Sequence, residues 1–347
     1  MSTTVEALIA ESDRSERSVR PALSHEAISV SYLQPGKTLP LLIEPVTKAI
    51  DLIAWAKTNL SQIQAWLNLH GGILFRGFNI STTEEFESFI VAISGSLLDY
   101  SYRSTPRSLV SGKIYTSTEY PAPQSIPLHN ENSYARDWPM KISFFSLRCA
   151  ATGGETPIAD SRRVYQRIPA RIRDLFARKG VMYVRNYGSG LDLSWEEVFQ
   201  TTSKPEVESY CHSFGLDFEW LPEDHLRTRQ VCQAIARHPH TGEMVWFNQA
   251  QLFHLSRLTP EIREAMLTIF EEDELPRNVY YGDGTQIDGD DLDQICAAYD
   301  HEKIVFPWQQ GDVLLLDNML AAHARNPFSG ERKVVVGMAQ PYSETKH

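Results

Sequence analysis

The stretch SIPLHNENSYARDWP, residues 125–139, sets an imidazole, His129, and a carboxylate, Glu131, one residue apart among apolar and aromatic neighbours. On an extended chain, positions i and i+2 project from the same face. An imidazole nitrogen and a carboxylate oxygen would then converge on one point, and a second histidine would complete the 2-His-1-carboxylate facial set that holds mononuclear iron. His323, in LLLDNMLAAHARNPFSGERKVVVGMA, follows a strongly apolar strand 194 positions later and is the candidate third ligand. The spacing by itself is common. Eleven histidines and 44 acidic residues in 347 positions give about one H-x-[DE] by chance, so a surface His–Glu pair is the competing reading.

The flanking segments distinguish the two readings. GGETPIAD (153–160) and HARNPFSGERKVVVGM (323–338), together with LHNEN, resemble the taurine dioxygenase-like (TauD/TfdA) superfamily of Fe(II)/2-oxoglutarate oxygenases. The similarity runs from about residue 72 to 340 and is strongest to the branch containing the syringomycin-pathway β-hydroxylase. The resemblance implies that His129, Glu131 and His323 hold Fe(II), leaving positions for 2-oxoglutarate and O2. It implies that Arg332, nine residues after His323, clamps the distal carboxylate of 2-oxoglutarate, where a planar fork suits a bidentate grip in a way Lys333 cannot match. Thr156 matches the family threonine that donates to the same carboxylate. Many members carry aspartate where this chain has Glu131, and clavaminate synthase-like relatives use glutamate. Related halogenases put a small residue there, so the presence of Glu131 favours hydroxylation or desaturation.

The activity so implied is hydroxylation of an unactivated C–H bond on an amino acid or a carrier-protein-tethered aminoacyl group in natural-product biosynthesis, releasing succinate and CO2. The alternatives are another oxidation of a free small molecule at the same iron, or a non-catalytic metal-binding jelly roll. Arg103 and Arg107 (SYRSTPRS), Asn130 and Asn248 are candidate substrate contacts, with Gln249 beside the last. The basic run SRRVYQRIPARIRDLFARKG reads either as a solvated helical face or as a docking surface for an acidic acyl or peptidyl carrier. His238, His240 and Glu243 sit around a Pro/Gly turn that predicts a hairpin better than a metal site. YGDGTQIDGDDL lacks EF-hand spacing, because Ile287 falls where an oxygen ligand is required, and reads as a helix cap.

Elements must bring these residues together. Short strands recur between Gly/Pro/Asn turns: AISVSYL, LPLLIEP, ILFRGF, KIYTSTEY, MKISFFSLRCA, TPIAD, GVMYVRN, QVCQAIARH, EMVWFNQ, DVLLLDN and RKVVVGMAQ. They predict a mainly β chain with flanking helices (α+β), built on a double-stranded β-helix or jelly-roll core of the clavaminate synthase-like kind. AIDLIAWAKTNLSQIQAWLNLHGG predicts one helix stopped by Gly71 and Gly72, and STTEEFESFIVAIS a second with Ser/Thr caps. The expected organisation is a flexible tail over 1–26 and one domain over 27–347, with helical insertions at about 161–214 and 260–301.

Composition sets the outer limits. Lys+Arg 33 against Asp+Glu 44 gives a net charge of −11, which argues against nucleic acid and anionic membranes as partners. The four cysteines form no C-x-x-C, which fits a reduced, cytoplasmic setting, and the N-terminus has no basic start followed by a long apolar run.

Overall fold

The computed structural model describes residues 27–99, 108–117 and 120–343. The expected tail over 1–26 and the candidate contacts Arg103 and Arg107 lie outside the described residues.

The larger sheet has eight strands, in the spatial order Ile28–Tyr32, Leu41–Pro45, Gly72–Phe75, Val313–Asp317, Asp137–Arg148, Lys333–Ser343, Ile114–Thr116 and Leu109–Ser111. All neighbours are antiparallel except Leu41–Pro45 with Gly72–Phe75. A three-stranded sheet, Ile126–His129, Ala321–Arg325 and Ile158–Asp160, lies opposite and completes the jelly roll. Tyr115, Ile142, Phe144, Ile158, Leu314 and Val336 form one buried cluster between the two. The central strand Asp137–Arg148 is buried almost continuously because both of its faces are covered. Phe144 points into the roll, whereas Phe145 joins Phe75, Phe86 and Phe89 under the helices on the outer face.

Those outer helices show how local chemistry sets boundaries. Thr83–Ser94 begins at a capping box between Thr82 and Glu85, as its Ser/Thr start predicts. The single helix expected before Gly71 is two, Leu52–Thr58 and Leu60–His70. Asn59 breaks it: its side chain donates to the Trp55 carbonyl at 2.8 Å, taking the place of the next helical turn. Gly71 then closes the second helix at φ +78°, a left-handed conformation suited to glycine.

The insertions differ from expectation. GVMYVRN and the first half of QVCQAIARH do not join the jelly roll. Val181–Tyr187 and Leu226–Cys232 pair with each other and with Arg277–Tyr281 and Asp217–Trp220 in a separate antiparallel sheet. The regions at 161–214 and 260–301 therefore belong to one α/β layer rather than two helical excursions. Alternating apolar residues identify a strand but not its partner. The layer shares a core cluster with Leu128, Ala159, Ala322 and Ala324 of the three-stranded sheet, where alanines allow close approach. That sheet is thus held from both sides. No helix among the described residues is long and apolar enough to cross a membrane.

Candidate active site

His129 is the last residue of Ile126–His129, and His323 lies directly across from it in the antiparallel register. The pairing places the two ring centroids 4.5 Å apart although the residues are far apart in sequence. His129 Nδ1 faces the Pro127 carbonyl oxygen at 2.8 Å, and donation there puts the ring's lone pair on Nε2, the nitrogen that can ligate a metal. His323 is 5% exposed, and its ring packs on Phe144 with centroids 5.1 Å apart. Its Nδ1 is buried with no hydrogen-bond partner, so packing rather than a second hydrogen bond sets the ring's orientation.

Glu131 reaches the same point by a different route from the expected one. The strand stops at His129, and Glu131 follows in a turn that continues through Asn132 at φ +56°. Same-face alternation along a strand therefore does not align the pair; the turn does. The Glu131 carboxylate is 3% exposed, with Oε2 3.6 Å from His323 Nε2. That separation is too long for a hydrogen bond. It is close to the roughly 3 Å between neighbouring donors that share one ion at about 2 Å. Ligand atoms of His129, Glu131 and His323 all lie within 4.8 Å of one another, and this is the one such group found among the described residues. A carboxylate buried this deeply needs positive charge or hydrogen-bond donors. A divalent ion held by two imidazoles and a carboxylate would supply that charge. The donor set fits a mononuclear iron site.

Ser117, Phe144, Thr156, Arg325 and Arg332 line a cavity together with both histidines. Arg332 donates from Nε to the Gly154 carbonyl at 2.8 Å and from Nη1 to Ser117 Oγ at 3.1 Å, and lies over the Phe328 ring. Burial, and then the neighbouring Arg325 guanidinium, lower its pKa to about 10, so it stays cationic at neutral pH. Thr156 is 2% exposed and accepts from Trp308 Nε1 at 3.1 Å, leaving its own hydroxyl proton to donate. Arg325 caps the carbonyls of Tyr120, Pro121 and Gln124 at 2.6–2.8 Å, while its Nε is buried and unpartnered. Two desolvated guanidiniums facing one small cavity give it positive charge of the kind that suits an anion.

Sequence reasoning missed Arg325, Asn318, Trp308 and Ser117. Arg325 was findable, because it lies two positions after His323 on one strand and so shares its face. The other three carry no local signal; each acts through a partner remote in sequence.

Two proposed substrate contacts are corrected. Asn130 is fully buried, with Nδ2 donating to Ser161 Oγ and the Asn318 carbonyl at 3.0 and 2.6 Å. Asn248 is also fully buried, bound to the Ala234 carbonyl and the Ala250 amide. Both amides are engaged within the fold, Asn130 on a hydroxyl and a carbonyl and Asn248 on two backbone groups. Gln249 donates to the Asn130 carbonyl at 2.8 Å and belongs to the same scaffold.

The remaining expectations resolve simply. His238 and Glu243 bound the turn of the predicted hairpin of Ile235–Arg237 and Met244–Trp246, and His238 Nε2 lies 3.0 Å from Asp317 Oδ2. Asp288 caps the helix Gly289–Glu302 through the Asp290 amide. Most of the basic run is internally paired: Arg162 with Asp160 and Glu243, Arg167 with Glu302, Arg171 with Asp291 and Lys179 with Asp283. None of the four cysteines is in a disulfide.

A two-sheet jelly roll that presents two histidines and a carboxylate beside an arginine-lined cavity defines a mononuclear metal oxygenase scaffold. The model of the taurine catabolism dioxygenase TauD, TfdA family matches residues 36–338, and the chain belongs to that family of dioxygenases. It is 45% identical over 275 residues to the dapdiamide synthesis protein DdaC of Enterobacter agglomerans, covering 79% of this chain and 84% of that one. A clavaminate synthase-like protein of Arabidopsis thaliana is 29% identical over 328 residues, covering 88% of this chain and 94% of the other. Among solved structures, PvcB of Pseudomonas aeruginosa superposes with a TM-score of 0.55 at 14% identity, over 92% of this chain and 94% of its own, and so shares the fold.

Proposed function

We propose that the protein is an Fe(II)/2-oxoglutarate-dependent oxygenase that hydroxylates an unactivated C–H bond of an amino-acid-like small molecule in a biosynthetic pathway, consuming O2 and releasing succinate and CO2. One observation carries the reading: the two histidines of the three-donor group line one cavity with the Arg325 and Arg332 guanidiniums. A bare metal-binding barrel has no use for the second feature. Iron and 2-oxoglutarate together would supply the activation of O2. His129, Glu131 and His323 would hold the ion, and Arg332 with Thr156 would receive the distal carboxylate of the cosubstrate. Phe144 and the apolar wall around it would keep water out, and placement of the substrate within about an ångström would select the carbon oxidised. Because Glu131 fills the carboxylate position, halogenation is disfavoured and desaturation is the second outcome.

The pathway reading draws support from a relative named for dapdiamide synthesis and from PvcB, described as an Fe, alpha-ketoglutarate dependent oxygenase from an isonitrile synthetic pathway. Docking of an acidic carrier on the run 162–179 loses support, since its buried or paired cations are committed to the fold. Arg163 and Arg178 remain exposed as the residues through which such docking would be tested. The reading treats residues 27–347 as one jelly-roll domain with an α/β insertion, working in a reducing, cytoplasmic setting.

The test is succinate formation from 2-oxoglutarate with added Fe(II) and ascorbate, alongside a mass increase of one oxygen on a compound from a panel of free and carrier-bound amino acids. Activity of the wild type that disappears in His129→Ala and His323→Ala is expected. Metal-independent turnover, or turnover unaffected by those substitutions, refutes the proposal.

A further inference from the structure

We infer that Asn318 is a positioning residue for Glu131, gripping that residue's backbone from both sides and so aiming its carboxylate at the metal; the inference rests on the iron-site reading above. Glu131 lies in a turn, where no neighbouring strand fixes its peptide groups. Asn318 supplies what a strand would. Its Oδ1 accepts from the Glu131 N–H at 2.7 Å, and its Nδ2 donates to the Glu131 carbonyl at 2.9 Å. The same Nδ2 donates to the Pro139 carbonyl at 2.9 Å, which ties the far end of the 130–139 segment to the same point. On the main chain, the Asn318 N–H donates to Met140 O at 2.9 Å, and its carbonyl accepts from Asn130 Nδ2 at 2.6 Å. Asn318 is fully buried, so none of these groups has water as a substitute partner.

The turn carrying Asn318 is itself fixed. Asp317 Oδ1 accepts from the Met319 and Leu320 amides at 3.0 Å each. His238 Nδ1 accepts from the amides of His240 and Thr241, which leaves the proton on Nε2 to donate to Asp317 Oδ2. Beyond Leu320 the chain enters Ala321–Arg325, the strand that presents His323. One turn therefore sets the positions of two of the three ligands: His323 through the chain itself and Glu131 through a side-chain amide. A shorter side chain at 318 cannot span both peptide groups of Glu131, and an acid can accept from one but not donate to the other.

The measurement is Co(II) affinity of the full-length apoprotein, followed by the cobalt absorption bands, with thermal melting alongside. Asn318→Ala should weaken Co(II) binding roughly 10- to 100-fold, the range usual for groups that orient a ligand. Because it acts through Glu131, the Asn318→Ala/Glu131→Ala protein should bind no more weakly than Glu131→Ala alone. Asp192→Asn removes the partner of Arg277 in the separate α/β layer, and should lower the melting temperature while holding Co(II) affinity within about twofold. Should Asn318→Ala not fold, Asn318→Asp reads the same quantity with a smaller loss, since it keeps the acceptor for the Glu131 amide. Unchanged affinity in the Asn318 variants, full additivity in the double variant, or an equal loss in Asp192→Asn overturns the inference. Loss of cobalt bands in Asn318→Ala with none in His129→Ala would instead sink the metal-site reading beneath it.

Discussion

Replacing Arg332 by lysine keeps a cation in the cavity and removes the fork, so it separates charge from geometry. In the structure the guanidinium uses Nε on Gly154 O and Nη1 on Ser117 Oγ, which leaves Nη2 for a ligand carboxylate. A lysine ammonium cannot hold that carbonyl, that hydroxyl and a bidentate carboxylate at once. Loss of one charge-assisted hydrogen bond, about 1.5–3 kcal/mol, corresponds to roughly a 10- to 150-fold rise in the KM for 2-oxoglutarate at about 1.4 kcal/mol per tenfold. The variant should also acquire a pH dependence. Burial and the Arg325 guanidinium already bring Arg332 down to about 10, and burial likewise lowers the buried Lys141 ammonium. A lysine in this position meets the same two influences from a lower starting value. Its cationic form is the binding form, so affinity for 2-oxoglutarate should fall as pH rises through the lowered lysine pKa, while the wild type stays level to about pH 9. The assay is succinate formation at saturating main substrate from pH 6.5 to 9. An equal rise in KM for both substrates, or a flat profile in the variant, would show that Arg332 is not the clamp.

Gly154→Ala should harm the same pocket from behind: at φ +74° a side chain is strained by about 1–2 kcal/mol, and its Cβ would lie 2.9 Å from Arg332 Cδ. Its KM for 2-oxoglutarate should rise more than its KM for the main substrate; equal changes would mean that the clash relaxes elsewhere. Chelation should inactivate the protein and lower its melting temperature, with Fe(II) at a hundredfold excess over Kd restoring about 2.7 kcal/mol, and a melt insensitive to both additions would count against the metal centre. Asp192 is bound by Arg277; burial raises its carboxyl pKa, but the Arg277 hydrogen bonds and charge outweigh that and hold it below the usual range. A depressed pKa gives stability that is present above the unfolded value near 3.9 and lost as pH falls through the folded one. Asp192→Asn should therefore cost about 1–3 kcal/mol in urea melts at pH 7, with the gap to wild type narrowing towards pH 3. A gap independent of pH would assign the loss to packing.

Much of the chemistry was legible before the structure, because it resides in residue types whose roles are narrow. A histidine and a carboxylate two apart, a remote histidine on an apolar strand, and an arginine nine residues beyond it are sequence facts, and the structure brings the first three to one point. The glycines of GGETP are legible for the same reason: Gly154 has no room for a side chain against Arg332. Strand periodicity, capping boxes and the Gly71 stop likewise follow from forces that act over a few residues.

Contacts between remote segments were not legible. The sequence presented GVMYVRN as one more strand, and only packing against Leu226–Cys232 and Arg277–Tyr281 assigned it to the insertion. It offered Asn130 and Asn248 as substrate contacts, whereas the fold buries them with their amides bonded to the Asn318 and Ala234 carbonyls. It aligned His129 with Glu131 by strand alternation, but the strand ends too soon, and an asparagine 187 residues away aims the carboxylate instead. Residue identity and short-range spacing determined which donors this chain possesses. Register across the sheet and hydrogen bonds to buried peptide groups decided where they point, because the free energy of those contacts exists only once distant segments have excluded water together.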